Sequence, residues 1–142
     1  MTKFNTTAGK PPIVVSDEDY GRLTKLATAA LDRFPDVAEE LQIEMERAQV
    51  LSTATIPEGV VQMGSTVEYH SDVEQRRRIT LVYPGEADIA EGRVSILTPI
   101  GAALIGLSAG QSIRWVSRDG REHVLTVLKV EQPVASATPT VV

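Results

Sequence analysis

The spacing of apolar residues in this 142-residue chain changes period once, and that change limits what the chain can fold into. From Asp17 to about Asp32 the apolar positions Tyr20, Leu23, Ala27, Ala30 and Phe34 step by three and four residues, the repeat of one helix face. Beyond residue 65, the segments Thr66 to His70, Arg78 to Tyr83 and Arg93 to Leu97 alternate, the repeat of a half-buried strand. Helices first and strands afterwards describe an α+β protein.

The first helix has a start signal. Ser16-Asp17-Glu18-Asp19 places a hydroxyl where it caps the amide of Asp19 and puts carboxylates at the positive end of the helix dipole. The pattern breaks at Arg33-Phe34-Pro35, because proline disfavours helical backbone in the residue before it. Asp36-Val37-Ala38-Glu39 then has the form of a second capping box. A helix is expected from Val37 to about Leu51, with Val37, Leu41, Glu44 or Met45, Ala48 and Leu51 on its seam. Two helices this long joined by a few residues fold back as an antiparallel hairpin about 22 Å long. Its seam is poor in large residues, so its stability depends on the rest of the protein.

Residues 52–65 carry Pro57, Gly59 and Gly64 and are expected to be a linker around Val60-Val61. After the three strands, Thr98-Pro99 signals a helix start, and Ile100 to Ile105 is a short apolar helix ended by Gly106. Two further strands, Ser112 to Ser117 and Glu122 to Glu131, flank Arg118-Asp119-Gly120-Arg121, an Asp-Gly hairpin signal. The expected organisation is a loose tail over residues 1–12, a helical hairpin over 13–54, an antiparallel sheet packed on one short helix over 55–133, and a second tail over 134–142. Within the first unit, Ile13-Val14-Val15 is an apolar run able to dock or pair.

Function classes are narrowed by what the chain lacks. With no cysteine, disulfides, thiolate zinc sites and a thiol nucleophile are excluded, and a cytoplasmic location is expected. No apolar stretch approaches the ~20 residues of a membrane span. A net charge of -5 disfavours DNA binding by the chain on its own and favours a protein partner. No phosphate-cradling glycine loop ending in Gly-Lys-Ser/Thr occurs, so no nucleotide cofactor is called for.

The helical hairpin followed by Met63-Gly64-Ser65-Thr66-Val67, Thr80-Leu81-Val82-Tyr83-Pro84 and the run from Val94 through Thr98-Pro99-Ile100-Gly101-Ala102-Ala103-Leu104-Ile105-Gly106-Leu107 to Gly110 resembles the GreA/GreB group of bacterial RNA polymerase factors. Together with Glu44-Met45-Glu46-Arg47-Ala48-Gln49, it is similar to the branch of that group named for regulation of nucleoside diphosphate kinase, Rnk. The similarity covers about Ile13 to Glu131.

The resemblance implies an FKBP-like second unit and binding to RNA polymerase near its secondary channel, with the globular part outside and the helical arm directed inward. It also implies a contact surface around the proline of a Ser-Pro motif with an acidic residue two positions before it. Here those positions are Pro99, Thr98 and Leu97, so leucine replaces the acid, and the expected contact surface is Leu97, Thr98, Pro99 and Ile100.

Gre cleavage factors hold magnesium in the polymerase with paired carboxylates at the tip of the arm, oxygen ligands suiting that cation. The tip of this hairpin offers Asp32, Arg33, Asp36 and Glu39, with Glu40 beside them. Their plain reading is structural, with Asp36 as a cap, Glu39 closing its box and the rest as solvated charge. The arm is shorter than in those factors, and the expectation is a channel-occupying regulator, not an enzyme, that competes with Gre factors and has no catalytic or metal residues. The alternatives are an FKBP-like prolyl isomerase or chaperone and an active transcript-cleavage factor. Arg76-Arg77-Arg78 reads as a solvated hairpin end, His70 and His123 as ordinary strand residues, and Trp115 as packing.

Overall fold

The computed structural model describes residues 11–72, 76–116 and 119–132, and the expectations for residues 1–10 and 134–142 lie outside it. The chain enters through β1 (Val14–Ser16), which leads directly into α1 (Asp17–Ala30). The Ser16 hydroxyl accepts the Asp19 amide at 3.0 Å, as its spacing predicts. After a turn at residues 31–34 the chain returns as α2 (Pro35–Arg47). Leu23, Ala27 and Ala30 of α1 and Ala38, Leu41, Glu44 and Met45 of α2 are buried.

Three details of the hairpin differ from expectation. Proline takes the first position of α2 and Phe34 the cap position, with no side-chain cap bond, so Asp36 lies in the first turn and Glu39 closes no capping box. Proline fits there because the amide it lacks has no partner at a helix start. The second helix also stops at Arg47, and Gln49–Leu51 forms β2, paired parallel to β1. The Gln49 amide donates to the Ile13 carbonyl at 3.0 Å, a tertiary bond that overrides the helical spacing of Ala48 and Leu51. Third, Tyr20 and Phe34, expected on the seam, are exposed, and Ala38 is buried where Val37 was expected.

The second half is a sheet of β3 (Thr66–Ser71), β4 (Arg77–Val82), β5 (Arg93–Ser95), β6 (Ser112–Val116) and β7 (Glu122–Glu131), in the order β5-β4-β3-β7-β6. β3 pairs antiparallel with β4 and β7, and so does β6 with β7, as the alternation implies. Edge strand β5 joins parallel to β4, because the chain crosses over through residues 83–92 where a tight hairpin would have reversed it. Gly120 is left-handed and Asp119 is not, so the two-residue turn in which both carry positive φ is not formed between β6 and β7. Ser117 and Arg118 lie outside the described residues.

Between the sheet's strands runs α3 (Pro99–Leu104), every residue of which from Gly101 onward is buried. Two glycines of its motif are there for space. A Cβ on Gly101 would lie 2.3 Å from the Ser95 carbonyl oxygen, and one on Gly106, at φ +83°, would lie 2.8 Å from Cβ of Ile13. Val60 and Val61, expected in a linker, are buried: the Val61 amide donates to the Leu107 carbonyl at 2.8 Å and the Gly106 amide to the Val61 carbonyl at 2.9 Å. One hydrophobic cluster runs through both halves, joining Leu23, Leu41 and Met45 to Leu81, Leu104 and Leu125. The hairpin therefore shares the core of the sheet.

Candidate functional site

The segment after β5 is held by its own side chains. The Ser95 hydroxyl accepts the Leu97 amide at 2.9 Å. The Thr98 hydroxyl donates to the Ser95 carbonyl at 2.7 Å and accepts the Gly101 amide at 3.1 Å. The proton of that hydroxyl and one of its two lone pairs are thus engaged inside the protein. Leu97 and Ile100 pack against the core cluster, which leaves Pro99, at the first helical position, as the part of the segment that faces the hairpin.

At the other end of the sequence, the turn after α1 exposes Asp32 and Arg33, and α2 carries Asp36, Glu39 and Glu40 on its solvent side. Among the described residues these carboxylates form no ion pair. α2 packs on α3, and the space between them opens as a groove of about 800 Å³. Arg33, Phe34, Asp36, Glu39, Glu40 and Ile43 line it from the hairpin, and Pro99, Val116 and Gly120 from the globular part.

The structure thus brings together Arg33, Asp36, Glu39 and Pro99, four of the residues singled out from sequence, although some sixty positions separate Pro99 from the rest. Asp32, Leu97, Thr98 and Ile100 do not line the groove. Sequence reasoning missed Phe34, Ile43 and Val116 as groove residues. Ile43 carried a signal, since it falls two positions beyond seam residue Leu41 and therefore on the polar side of its helix.

The position of the arm is fixed away from its tip by polar contacts. Asp19 accepts the Met63 amide at 3.1 Å, and the Arg22 guanidinium lies 4.5 Å from the centre of the Tyr83 ring. Burial pushes the Asp19 carboxyl above the usual carboxylate range, opposed by the Met63 hydrogen bond. Burial likewise raises the Tyr83 phenol. A carboxyl raised on folding contributes stability that is present below its unfolded value and is lost as pH rises through the folded one. The stability of the protein relative to Asp19→Asn is therefore expected to fall as pH rises above about 4, measured by urea unfolding at a series of pH values.

The remaining signals lie elsewhere on the fold. Arg78 pairs with Glu131 at 2.9 Å and Arg76 with Glu68 at 3.7 Å, so the basic cluster faces carboxylates. His123 is buried 3.4 Å from the Asp72 carboxylate, with its ring 5.1 Å from that of Trp115, whereas His70 is exposed. Glu44 is buried and pairs with Arg47 at 2.9 Å, and Arg47 also donates to the Pro11 carbonyl.

The chain is thus a helical hairpin sharing its core with a strand-rich unit built on a Thr-Pro-capped helix. Residues 56–132 match the family described as transcription elongation factor GreA/GreB, C-terminal, and residues 11–51 match the Rnk N-terminus. The chain is 38% identical over 130 residues to the regulator of nucleoside diphosphate kinase of Escherichia coli K12, covering 89% of this chain and 95% of that protein. Transcription elongation factor GreA of Thermodesulfovibrio yellowstonii is 37% identical over 76 residues, 53% of this chain and 48% of that factor. Among solved structures, a GreA/GreB transcription elongation factor from Nitrosomonas europaea superposes with a TM-score of 0.68 at 35% identity, covering 86% of this chain and 99% of the other. The chain belongs to the GreA/GreB family of transcription elongation factors, in its Rnk branch. The fold is accordingly the α+β arrangement expected from the sequence, an N-terminal helical hairpin followed by a sheet packed on one short helix, and it is shared with a GreA/GreB factor.

Proposed function

We propose that this protein binds RNA polymerase at the entrance to its secondary channel, in the cytoplasm, and regulates transcription by occupying that entrance in competition with Gre factors, without stimulating transcript cleavage. Family membership supports the polymerase as partner. The observation that carries the finer reading is the groove: the tip of the hairpin and Pro99 line the same cavity, so the carboxylates of Asp36 and Glu39 lie beside the globular unit. An arm held in this way positions its acids at the docking surface, whereas stimulation of cleavage requires them at a metal remote from it.

The test is binding of the full chain to core RNA polymerase with a Gre factor as competitor. Saturable binding, displaced by the competitor and weakened by Pro99→Ala combined with Leu97→Asp at unchanged far-UV circular dichroism, is the expected result. Absence of binding at about 50 μM would overturn the proposal. Transcript cleavage above the polymerase's own rate, lost on replacing Asp32 and Asp36 with Asn, would overturn the non-cleaving part.

A further inference from the structure

The groove has a chemistry that specifies its occupant. Phe34, Ile43 and Val116 are 49%, 46% and 52% exposed, three of the eight large hydrophobic residues that stand open on the described surface, and all three line this one cavity. Apolar side chains gathered in a concavity mark a contact site more strongly than the same residues scattered singly. Around them stand the three carboxylates of Asp36, Glu39 and Glu40, unpaired among the described residues, and Arg33 is the one cation among the described residues that line the groove.

The carboxylates also have a spacing. Glu39 and Glu40 follow Asp36 at three and four positions along α2, and Ile43 follows them at four and three, so acid and apolar groups recur once per helical turn, about every 5.4 Å, along the groove wall. Cations at the same interval on a partner helix meet them in register. An acidic or uncharged apolar segment fits the walls less well, since it leaves three carboxylates partly desolvated without a partner.

We propose that this groove is the seat of a basic amphipathic helical segment of a partner protein, with Lys or Arg facing Asp36, Glu39 and Glu40 and aliphatic side chains against Phe34, Ile43 and Val116. The polymerase reading above enters only as the source of that segment. Binding of the segment is measured on the isolated full-length chain, so this inference and the polymerase reading fail separately.

The probe is a helical peptide of leucine and lysine in which lysines recur at three- and four-residue steps. Its controls are the same peptide with glutamate for lysine and a scrambled version of equal charge. Titration into the 15N-labelled chain is expected to shift the amides of Phe34, Glu39, Ile43, Val116 and Gly120. Affinity is expected to fall at least tenfold with Glu39→Lys and Glu40→Lys together, and at least threefold with Ile43→Ser. Both changes are at exposed positions, and unchanged circular dichroism confirms the fold. Shifts centred on another surface, equal binding of the glutamate or scrambled peptide, or affinity insensitive to the charge reversal would each overturn the assignment.

Discussion

Replacing Gly101 by alanine is expected to destabilise the protein by about 3 kcal/mol, near the upper end for overpacking a rigid site. The added methyl would meet backbone on two sides, the Ser95 carbonyl oxygen at 2.3 Å and Cα of Ile96 at 3.0 Å, and the capping hydroxyl of Thr98 on a third. None of these is the free end of a flexible side chain, so relief requires α3 to move away from β5. The expected readout is a lower urea midpoint with an unchanged slope. Gly21→Ala is the control: nothing lies within 4 Å of its added carbon on α1, so it is expected to stabilise by about 0.5–1 kcal/mol. A Gly101→Ala variant within 1 kcal/mol of the parent would show that α3 is less tightly seated than described.

Gly106→Ala is expected to cost a similar amount by a different route. A left-handed backbone costs an alanine about 1–2 kcal/mol, and its methyl would press on the buried Ile13, 2.8 Å away. The loss should be local in origin. The Val14 amide donates to the Gly106 carbonyl at 3.1 Å and the Gln49 amide to the Ile13 carbonyl at 3.0 Å, so displacing Ile13 loosens both. Hydrogen exchange at Val14 and Gln49 is expected to accelerate more than exchange in β3 or β7. Uniform acceleration through the sheet would show that the strain is spread through the shared core.

What the sequence disclosed were the features written in neighbouring residues. Ser16 caps Asp19, Thr98 caps Gly101 beside a first-position proline, and the alternating runs became strands within a residue or two. What it concealed were outcomes decided between distant segments. Ala48 and Leu51 continue a helical spacing, yet Gln49 leaves the helix because Ile13, thirty-six positions earlier, supplies a carbonyl. Val60 and Val61 sit among turn formers, yet they are drawn into the core by bonds to Gly106 and Leu107. Asp36 looked like a cap only while Pro35 was counted outside the helix.

The candidate site divides in the same way. The acids of the tip and Pro99 were legible as chemistry, the first as charge near a turn and the second as part of a helix start. Their meeting was not, because no local pattern says that α2 packs on α3. Phe34 was assigned to the seam since its spacing continues that of Leu23 and Ala27; a residue at the cap position has already left the helix, and so it opens into the groove.

The pairing of β1 with β2 closes the hairpin at its base, and this makes reach separable from anchorage. Both ends of the arm are fastened by Ile13, Val14 and Gln49, while its length is set only by the two helices and the turn at residues 31–34. Seven residues added to each helix beside that turn would extend the arm by about 10 Å and leave every contact of the base in place. At its present length the acids stop level with Pro99. A longer handle on the same mount would carry them past it, so a single insertion site at the turn changes where the acids are presented without touching what holds the arm.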